Sequence, residues 1–579
     1  MNTLGISCFY HDSAAALVSD GRLKAAAQEE RFTGIKHDSS FPINAVAFCL
    51  KKENLSIESI DHIVFYDKPF TKFDRILQSY LATVPISYLA FRKAIPIWLK
   101  EKLWLPSIIK KELHYNGPIY FIDHHLSHAA GAYYTSPFEK AAILTIDGVG
   151  EWATASIGKG AANKIELSRT MNYPHSVGLL YSAFTYFLGF QVNSAEYKVM
   201  GLAPYGKPLY TDLIRKEIVH IFDDGSIQLN LKYFDYHHSL RMTGKKFSRL
   251  FGRERRNPES ELTDSDRNLA ASIQEITEEI IFKMAHHTKE LTGEVNLCLS
   301  GGVALNCTAA GKLLQSGLFK DIHIQPASTD SGGAAGAALY IDYALNNRPK
   351  INDQPYFTLG PSYSPDEIAS FLKENEIKYS YLEENDRAKT IAAALTENKI
   401  VAFFDGAMEF GPRALGFRSI LASPAAADMK TRINAAVKFR EPFRPFAPVV
   451  LEQKAGNYFD HARPSPYMLF NFDVLLEKRD VIPAVTHIDG TARIQTVNET
   501  QNPRLVEILT EFEKLTGLPV LLNTSFNLRG RPIVRTPDDA FATFISSGID
   551  LLALGNCIID KRSLDQSRYE NFKIAAGGD

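Results

Sequence analysis

Two stretches of this sequence share one design. Over residues 4–18 an apolar run, a small polar turn and a second apolar run follow one another, and residues 141–158 repeat the pattern. Each predicts two strands around a turn carrying an acidic residue, Asp12 in the first and Asp147 in the second. One such hairpin is compatible with many folds. Two of them, followed by glycine-rich strand-to-helix turns, restrict the chain to an α/β fold built by duplication.

The turns are Ser300-Gly301-Gly302, between a strand over 295–299 and a helix beginning near Val303, and Ser331-Gly332-Gly333, ahead of an alanine-rich helix reaching Leu339. Small residues before a helix let a phosphate or ribose approach the free N–H groups and the positive end of the helix dipole. The pattern points to the duplicated nucleotide-binding domain of the actin, Hsp70 and sugar-kinase superfamily. Candidate nucleotide contacts are Gly148, Gly150, Lys198, Ser300, Gly301, Gly302, Asn306, Gly332 and Gly333. Close packing of helix on strand is the competing explanation for such glycines. No GxxxxGK[ST] motif or strand-linked GxGxxG is present, which disfavours P-loop and dinucleotide-binding folds.

At 579 residues the chain exceeds what one core organises, so two domains are expected. A polar, proline-bearing stretch at 346–355 suggests a division into 1–350 and 351–579, the extreme C-terminus being free to pack back on the first domain. The formal net charge of -2 supplies no pull toward nucleic acid or an anionic membrane, so neither is expected as a partner. Five scattered cysteines without a CxxC pair argue against a disulfide framework or zinc ribbon and favour a reducing cytoplasm. No signal-peptide pattern is evident. The most apolar long stretch, 84–109, is broken by charged residues, as expected of a surface helix rather than a membrane span.

Residues 123–129 follow a predicted strand over 119–122. On a helix, His124 and His128 stand at i and i+4 on one face, where two imidazoles can hold one divalent ion. Asp147 and Asp330 bring carboxylates to the same cleft, and two His with two Asp suit Fe(II), Mn(II) or Zn(II). A HxxxH pair by itself is weak evidence, because helical histidines are more often structural. His11 and Asp12 are candidate catalytic residues for orienting or deprotonating a hydroxyl, with a buried structural histidine as the alternative. Lys198 and Tyr205 belong to a loop shaped as if against a ligand.

The second domain concentrates Arg413, Arg418, Lys438, Arg440 and Arg444 among prolines and aromatics. Arginine forks take phosphate oxygens bidentately and lysine adds a point charge. A stiffened pocket for polyphosphate explains that cluster better than a solvated basic face. Asn523, Thr524, Ser525 and Asn527, after a predicted strand over 519–522, either add neutral hydrogen-bonding groups or form a capped turn.

Over nearly its full length the chain resembles the O-carbamoyltransferases of the nodulation protein U, cephamycin and tobramycin type. The matching stretches include FYHDSAAAL, HHLSHAAGAYYTS, LTIDGVGEW, LSGGVALNC, DSGGAAGAA, MEFGPRALGFRSILA, FREPFRPFAP and LNTSFN. The resemblance implies a TsaD-like first domain and a YrdC-like second domain. It implies ATP, with Mg2+, and carbamoyl phosphate as substrates, and a divalent metal at the transfer site, Fe2+ first among candidates. The second domain would form carbamoyl adenylate, and the first would transfer the carbamoyl group to a hydroxyl of a small metabolite. His124, His128, Asp147 and Asp330 are then the metal ligands, and His11 lies by the acceptor. Arg413, Arg418, Lys438, Arg440, Arg444, Arg493, Asn523 and Ser525 match the carbamoyl phosphate and ATP pocket. Gly34 and Ile35 depart from the basic residues expected after Thr33.

Two other readings compete. A tRNA threonylcarbamoyl transferase would share the first domain and the histidine pair, but near-neutral charge and the fused second domain argue against tRNA. A nucleotide-sensing protein without turnover is the alternative from a different class.

Overall fold

The first hairpin consists of β1 (Asn2–Ser7) and β2 (Ala14–Ser19), antiparallel, with Leu4 opposite Leu17 and Ile6 opposite Ala15. β3 (Arg22–Gln28) extends the meander beyond β2, while β4 (His62–Phe65) and β5 (Ile119–Phe121) add in parallel on the other side of β1. The second sheet repeats the plan. β6 (Lys140–Ile146), β7 (Ala153–Ala161) and β8 (Lys164–Asn172) form the meander. After a small ribbon of β9 (Val219–Ile221) and β10 (Ile227–Leu229), β11 (Asn296–Ser300) and β12 (Asp321–Ile324) join parallel to β6. The strand orders β3-β2-β1-β4-β5 and β8-β7-β6-β11-β12 are the same topology with the same strand directions. This is the duplicated, actin-like and Hsp70-like fold that the paired hairpins predict.

The computed structural model describes residues 1–577. Its chain divides into two compact units, Met1–Glu29 with His37–Pro355, and Glu30–Lys36 with the chain from Tyr356 onward.

In the first unit, β1 and β2 are covered on both faces, which explains their unbroken apolar and alanine sequence: Leu4, Ile6 and residues 14–18 have no solvent exposure. The helix Asp330–Asn346 lies on these strands and against the helix His124–Thr135. Both helices are rich in Gly and Ala, so their backbones nearly touch. A Cβ at Gly336 would fall 1.9 Å from the carbonyl oxygen of Ser127 and 2.7 Å from the amide nitrogen of Gly131. This close approach brings Asp330, the first residue of one helix, to the histidines of the other. Gly336→Val is therefore expected to cost about 1–3 kcal/mol by overpacking and to pull the cluster apart, measurable as a lower unfolding temperature.

Three local expectations need correction. Residues 331–333 are not a turn but the first turn of the helix, which begins at Asp330 behind the extended Thr329. The helix expected near Val303 is a short 3-10 turn, Gly302–Leu305, followed by the helix Cys307–Gln315 that Asn306 caps. The apolar stretch 84–109 is not one helix. After the helix Pro69–Leu81 it forms Tyr88–Lys100 and then Leu105–Leu113, where Pro106 sits in the first turn and suits a helix start.

The second unit is built on a mixed eight-stranded sheet. Its strands are β13 (Ser380–Tyr381), β14 (Val401–Phe404), β15 (Arg418–Ala422), β16 (Ala447–Leu451), β19 (Gln495–Val497), β20 (Val520–Ser525), β21 (Leu551–Leu554) and β22 (Cys557–Asp560). Their order is β13-β22-β21-β14-β15-β20-β16-β19, beside a ribbon of β17 (Asn471–Asp473) and β18 (Thr491–Arg493). Residues 30–36 are part of this unit: Arg31 donates to Gly411 O at 3.0 Å, and the Arg535 guanidinium lies 5.0 Å over the Phe32 ring. The C-terminal residues also stay here, Gly577 N–H donating to Arg529 O at 2.9 Å. All five cysteines are buried and unpaired. Among the described residues no helix is long and apolar enough to cross a membrane.

Candidate active site

The histidine helix starts without a side-chain cap from Asp123, whose carboxylate instead meets Lys68 at 2.9 Å. The free N–H of His124 donates to Glu151, 3.1 and 3.2 Å from its two oxygens, so a carboxylate from the β6–β7 turn serves the positive end of the helix. That bond fixes the first turn, and with it the ring of His124.

Four ligand atoms then converge. His124 Nε2 lies 3.1 Å from His128 Nε2, 3.1 Å from Asp147 Oδ2 and 3.7 Å from Asp330 Oδ1. His128 Nε2 lies 3.9 Å from Asp147 Oδ2 and 3.8 Å from Asp330 Oδ1. Ligands at 2.0–2.1 Å around a tetrahedral ion stand about 3.3–3.4 Å apart, so these edges suit one divalent cation. Both histidines and Asp330 are buried. Two imidazole nitrogens facing each other beside two carboxylates form a donor set that one ring proton cannot satisfy throughout. Burial and the neighbouring His124 push His128 down to about 4. Burial opposes charge on His124, but its bond to Asp147 and the charges of Asp330 and Asp147 raise its pKa. Asp147 is held well below the usual carboxylate range, its bond to His124 and the nearby imidazoles outweighing burial.

The supporting atoms explain why these side chains point inward. Asp147 Oδ1 accepts from Gly302 N–H at 3.0 Å, leaving Oδ2 for the histidines. Tyr66 donates to Asp330 Oδ2 at 3.1 Å. His11 Nδ1 lies 3.2 Å from Asp12 Oδ2, and its Nε2 lies 4.0 Å from Asp330 Oδ2. Burial works against a charged His11, but Asp330, Asp12 and Asp147 raise it to about 9. Asp12 also meets His37 at 2.8 Å.

The other candidate contacts of the first unit separate into two groups. Gly148 has open space where a side chain would be, as a ligand-facing glycine requires. Gly301 is bound to its turn by a φ of +85°. Gly302 faces Asp147, and Ser300 Oγ is 2.8 Å from Thr145 Oγ1. Protein atoms fill the side-chain space at Gly301 as well, 2.3 Å from Ile146 O, and at the remaining glycines. A Cβ at Gly150 would meet the His124 ring, one at Gly332 would lie 2.0 Å from Ala327 O, and one at Gly333 would lie 2.9 Å from the Tyr66 ring. At Gly150, Gly332 and Gly333 the competing packing explanation therefore accounts for the residue. Asn306 is engaged in capping Ala309 N–H at 3.1 Å and in a two-way amide pair with Gln274 at 3.0 Å. Lys198 is buried, its ammonium 5.6 Å from the Phe190 ring centroid.

In the second unit, Lys438 Nζ donates to Ser525 O, to Ser525 Oγ at 3.2 Å and to Asn527 Oδ1 at 2.8 Å. Burial, followed by the charges of Arg440, Arg444 and Lys36, pushes its pKa well down. Arg440 lies over Phe446 at 4.7 Å and donates to Asn434 Oδ1 at 2.7 Å, and Arg444 meets Glu441 at 3.5 Å. Cations held this close favour an anion among them. Asn523 donates to Gln495 Oε1 at 2.7 Å and Ala414 O at 3.3 Å, while its buried Oδ1 has no protein partner among the described residues. Arg493 ends β18 with a buried Nε in the same condition.

Arg418 is different. It is fully buried against Phe404, and its Nη atoms donate to the carbonyls of Asp405, Phe417, Pro361 and Gly406 at 2.6–3.1 Å. Those donors are occupied by the fold rather than free for phosphate. Glu409 complements it: one carboxylate oxygen accepts from the N–H groups of Leu415, Phe417 and Arg418 at 2.8–3.1 Å, shaping the loop that carries Arg413. Arg413 is partly exposed on that loop.

Sequence reasoning missed Glu151, Tyr66 and Glu409 as organisers of these sites. Glu151 and Glu409 are single carboxylates inside glycine-containing loops, where burial against backbone N–H groups is the one signal available. Tyr66 follows β4 in an unremarkable apolar stretch and offers none.

A duplicated nucleotide-binding fold with a two-histidine, two-aspartate cluster narrows the class, and comparison with known proteins gives the family. Residues 2–339 match the carbamoyltransferase N-terminus family and residues 392–561 the carbamoyltransferase C-terminus family. The chain belongs to the carbamoyltransferase family and is a carbamoyltransferase enzyme. It is 47% identical to an uncharacterized protein of Synechocystis sp., covering 99% of each chain. It is 38% identical to nodulation protein NolNO of Sinorhizobium fredii over 98% of this chain and 81% of that one. With nodulation protein U of Bradyrhizobium diazoefficiens it shares 31% over 92% and 93%. Among solved structures, HypF of T. kodakarensis is 13% identical with a TM-score of 0.32, covering 60% of this chain and 48% of that one. Component A of (R)-2-hydroxyglutaryl-CoA dehydratase from Acidaminococcus fermentans is 14% identical with a TM-score of 0.30, covering 59% and 99%. Those scores add nothing to what the strand order establishes.

Proposed function

We propose that this carbamoyltransferase uses ATP and carbamoyl phosphate to carbamoylate a hydroxyl of a small metabolite, in two steps. In the second unit water cleaves carbamoyl phosphate to carbamate and inorganic phosphate, and the carbamate oxygen then attacks the α-phosphorus of ATP, giving carbamoyl adenylate and pyrophosphate. The first unit passes the carbamoyl group to the acceptor oxygen, and AMP leaves. The convergence of His124, His128, Asp147 and Asp330 is the observation that carries this reading.

These four residues would hold a divalent metal, with Fe2+ favoured by the family resemblance. Bound there, it supplies Lewis-acid stabilisation of charge developing on a carbonyl or phosphoryl oxygen. His11, next to Asp330, would hydrogen-bond the acceptor hydroxyl through Nε2 and orient it toward the carbamoyl carbon, with Asp12 holding the ring. Gly148, with no protein atom within 4 Å of where a side chain would start, leaves room for the adenylate's ribose or phosphate. In the second unit Arg440, Arg444 and Lys438 would neutralise the phosphates, Ser525 and Asn523 would take neutral hydrogen bonds from the carbamoyl group, and Arg413 and Arg493 would close the pocket.

Metal analysis of purified protein is expected to give one divalent ion per chain, and His128→Ala to lose it. Full occupancy in that folded variant would remove His128 from the ligand set. Carbon-labelled carbamoyl phosphate is expected to label a small carbamate ester in an ATP-dependent way. Label in tRNA instead would make the chain a threonylcarbamoyl-type transferase, and carbamoyl phosphate-independent nucleotide binding without turnover would make it a sensor.

A further inference from the structure

The formal charge of the whole chain is -2, yet its positive charge is not evenly spread. Between residues 82 and 112 stand Arg92, Lys93, Lys100, Lys102, Lys110 and Lys111 against two carboxylates, Glu101 and Glu112. Lys102 turns inward to donate to Phe9 O and Lys111 lies 3.8 Å from Glu112, which leaves Arg92, Lys93, Lys100 and Lys110 as the outward cations. The same segment carries the most concentrated apolar exposure in the first unit. Val84, Ile86, Tyr88 and Leu89 follow one another at the turn into the helix Tyr88–Lys100, and each is 60–72% exposed. Isolated exposed leucines are ordinary, but four large apolar residues in six positions are not.

The helix is anchored from its other side. Ala90, Ile95 and Trp98 are buried, so the segment is held to the fold while Leu89, Ile97, Arg92, Lys93 and Lys100 face solvent. Val84 and Ile86 also line a cleft of about 560 Å³ that is lined as well by Lys245, Lys246 and Asp235, and by Lys232, which is paired with Glu217 at 3.5 Å. Apolar tips rimmed by lysine and arginine suit the boundary between lipid headgroups and acyl chains.

We propose that this turn and helix form a peripheral docking surface for an anionic lipid bilayer, with Val84, Ile86 and Leu89 entering the interface and the surrounding cations meeting lipid phosphates. A second copy of the chain fits less well. A two-fold contact presses the same patch against itself and would set Arg92 and Lys93 near their own counterparts. A bilayer of negative headgroups complements both the apolar tip and its rim.

The test is flotation of the full-length protein with vesicles of phosphatidylcholine alone or mixed with phosphatidylglycerol. Binding is expected to the mixed vesicles and to weaken as salt is raised. Arg92→Ala with Lys93→Ala is expected to weaken it roughly 25-fold, at about fivefold per cation, and Ile86→Glu with Leu89→Glu to abolish it. All variants are expected to keep the wild-type unfolding temperature and carbamoylate a soluble acceptor normally. Equal binding to neutral vesicles would overturn the proposal, as would absence of binding to either kind. A dimer that Ile86→Glu with Leu89→Glu dissolves, without vesicle binding, would assign the surface to a second copy instead.

Discussion

Arg444→Ala is expected to release little pyrophosphate from ATP and carbamoyl phosphate, yet to carbamoylate the acceptor once preformed carbamoyl adenylate is supplied. The arginine stands beside Arg440 and Lys438 in the second unit, and losing a charge-assisted contact there costs about 1.5–3 kcal/mol, roughly ten- to a hundredfold in binding. The residues proposed for transfer belong to the other unit, so preformed adenylate is expected to bypass the damage. His128→Ala is expected to do the reverse, releasing pyrophosphate while failing to transfer. Rescue of His128→Ala but not of Arg444→Ala would place adenylation in the first unit and transfer in the second. Rescue of neither, with both proteins folded, would end the division of labour.

A second large effect is expected at Arg418, and it concerns folding. Its four Nη contacts to backbone carbonyls cannot be remade by a shorter or apolar side chain. Arg418→Ala would orphan buried carbonyls and leave the Glu409 and Asp405 charges less compensated, a loss on the order of 3–5 kcal/mol. Burial lowers the Arg418 pKa to about 10, so the side chain stays charged at neutral pH. Calorimetry is expected to show a fall in unfolding temperature on the order of 10 °C. A variant of unchanged stability that bound ATP poorly would return Arg418 to the phosphate pocket implied by the resemblance.

Arg418 also marks the limit of what the sequence displays. The paired hairpins were legible because alternating and continuous apolar runs report burial directly, and their repetition reports duplication. The i,i+4 spacing of His124 and His128 was legible because helix geometry alone sets it. An arginine among prolines and aromatics reads the same whether it faces a phosphate or a ring of carbonyls. Likewise Gly333 beside a helix start reads as a ligand cradle until the Tyr66 ring is seen beneath it. Those distinctions depend on long-range neighbours, and no local pattern carries them.

Residues 30–36 belong to the second unit although the chain on both sides of them belongs to the first. The polypeptide therefore passes between the units at three places, so one cut cannot yield two whole proteins. A fragment ending at residue 355 would keep Arg31 and Phe32 without Gly411 and Arg535, and the complementary fragment would lack the peptide those residues supply. On the ribosome the short segment emerges hundreds of residues ahead of its partners and waits for them. The order of synthesis thus makes completion of the second unit depend on a piece joined at both of its ends to chain of the first. A gene fission at the apparent domain border would be a poor evolutionary route to separate enzymes.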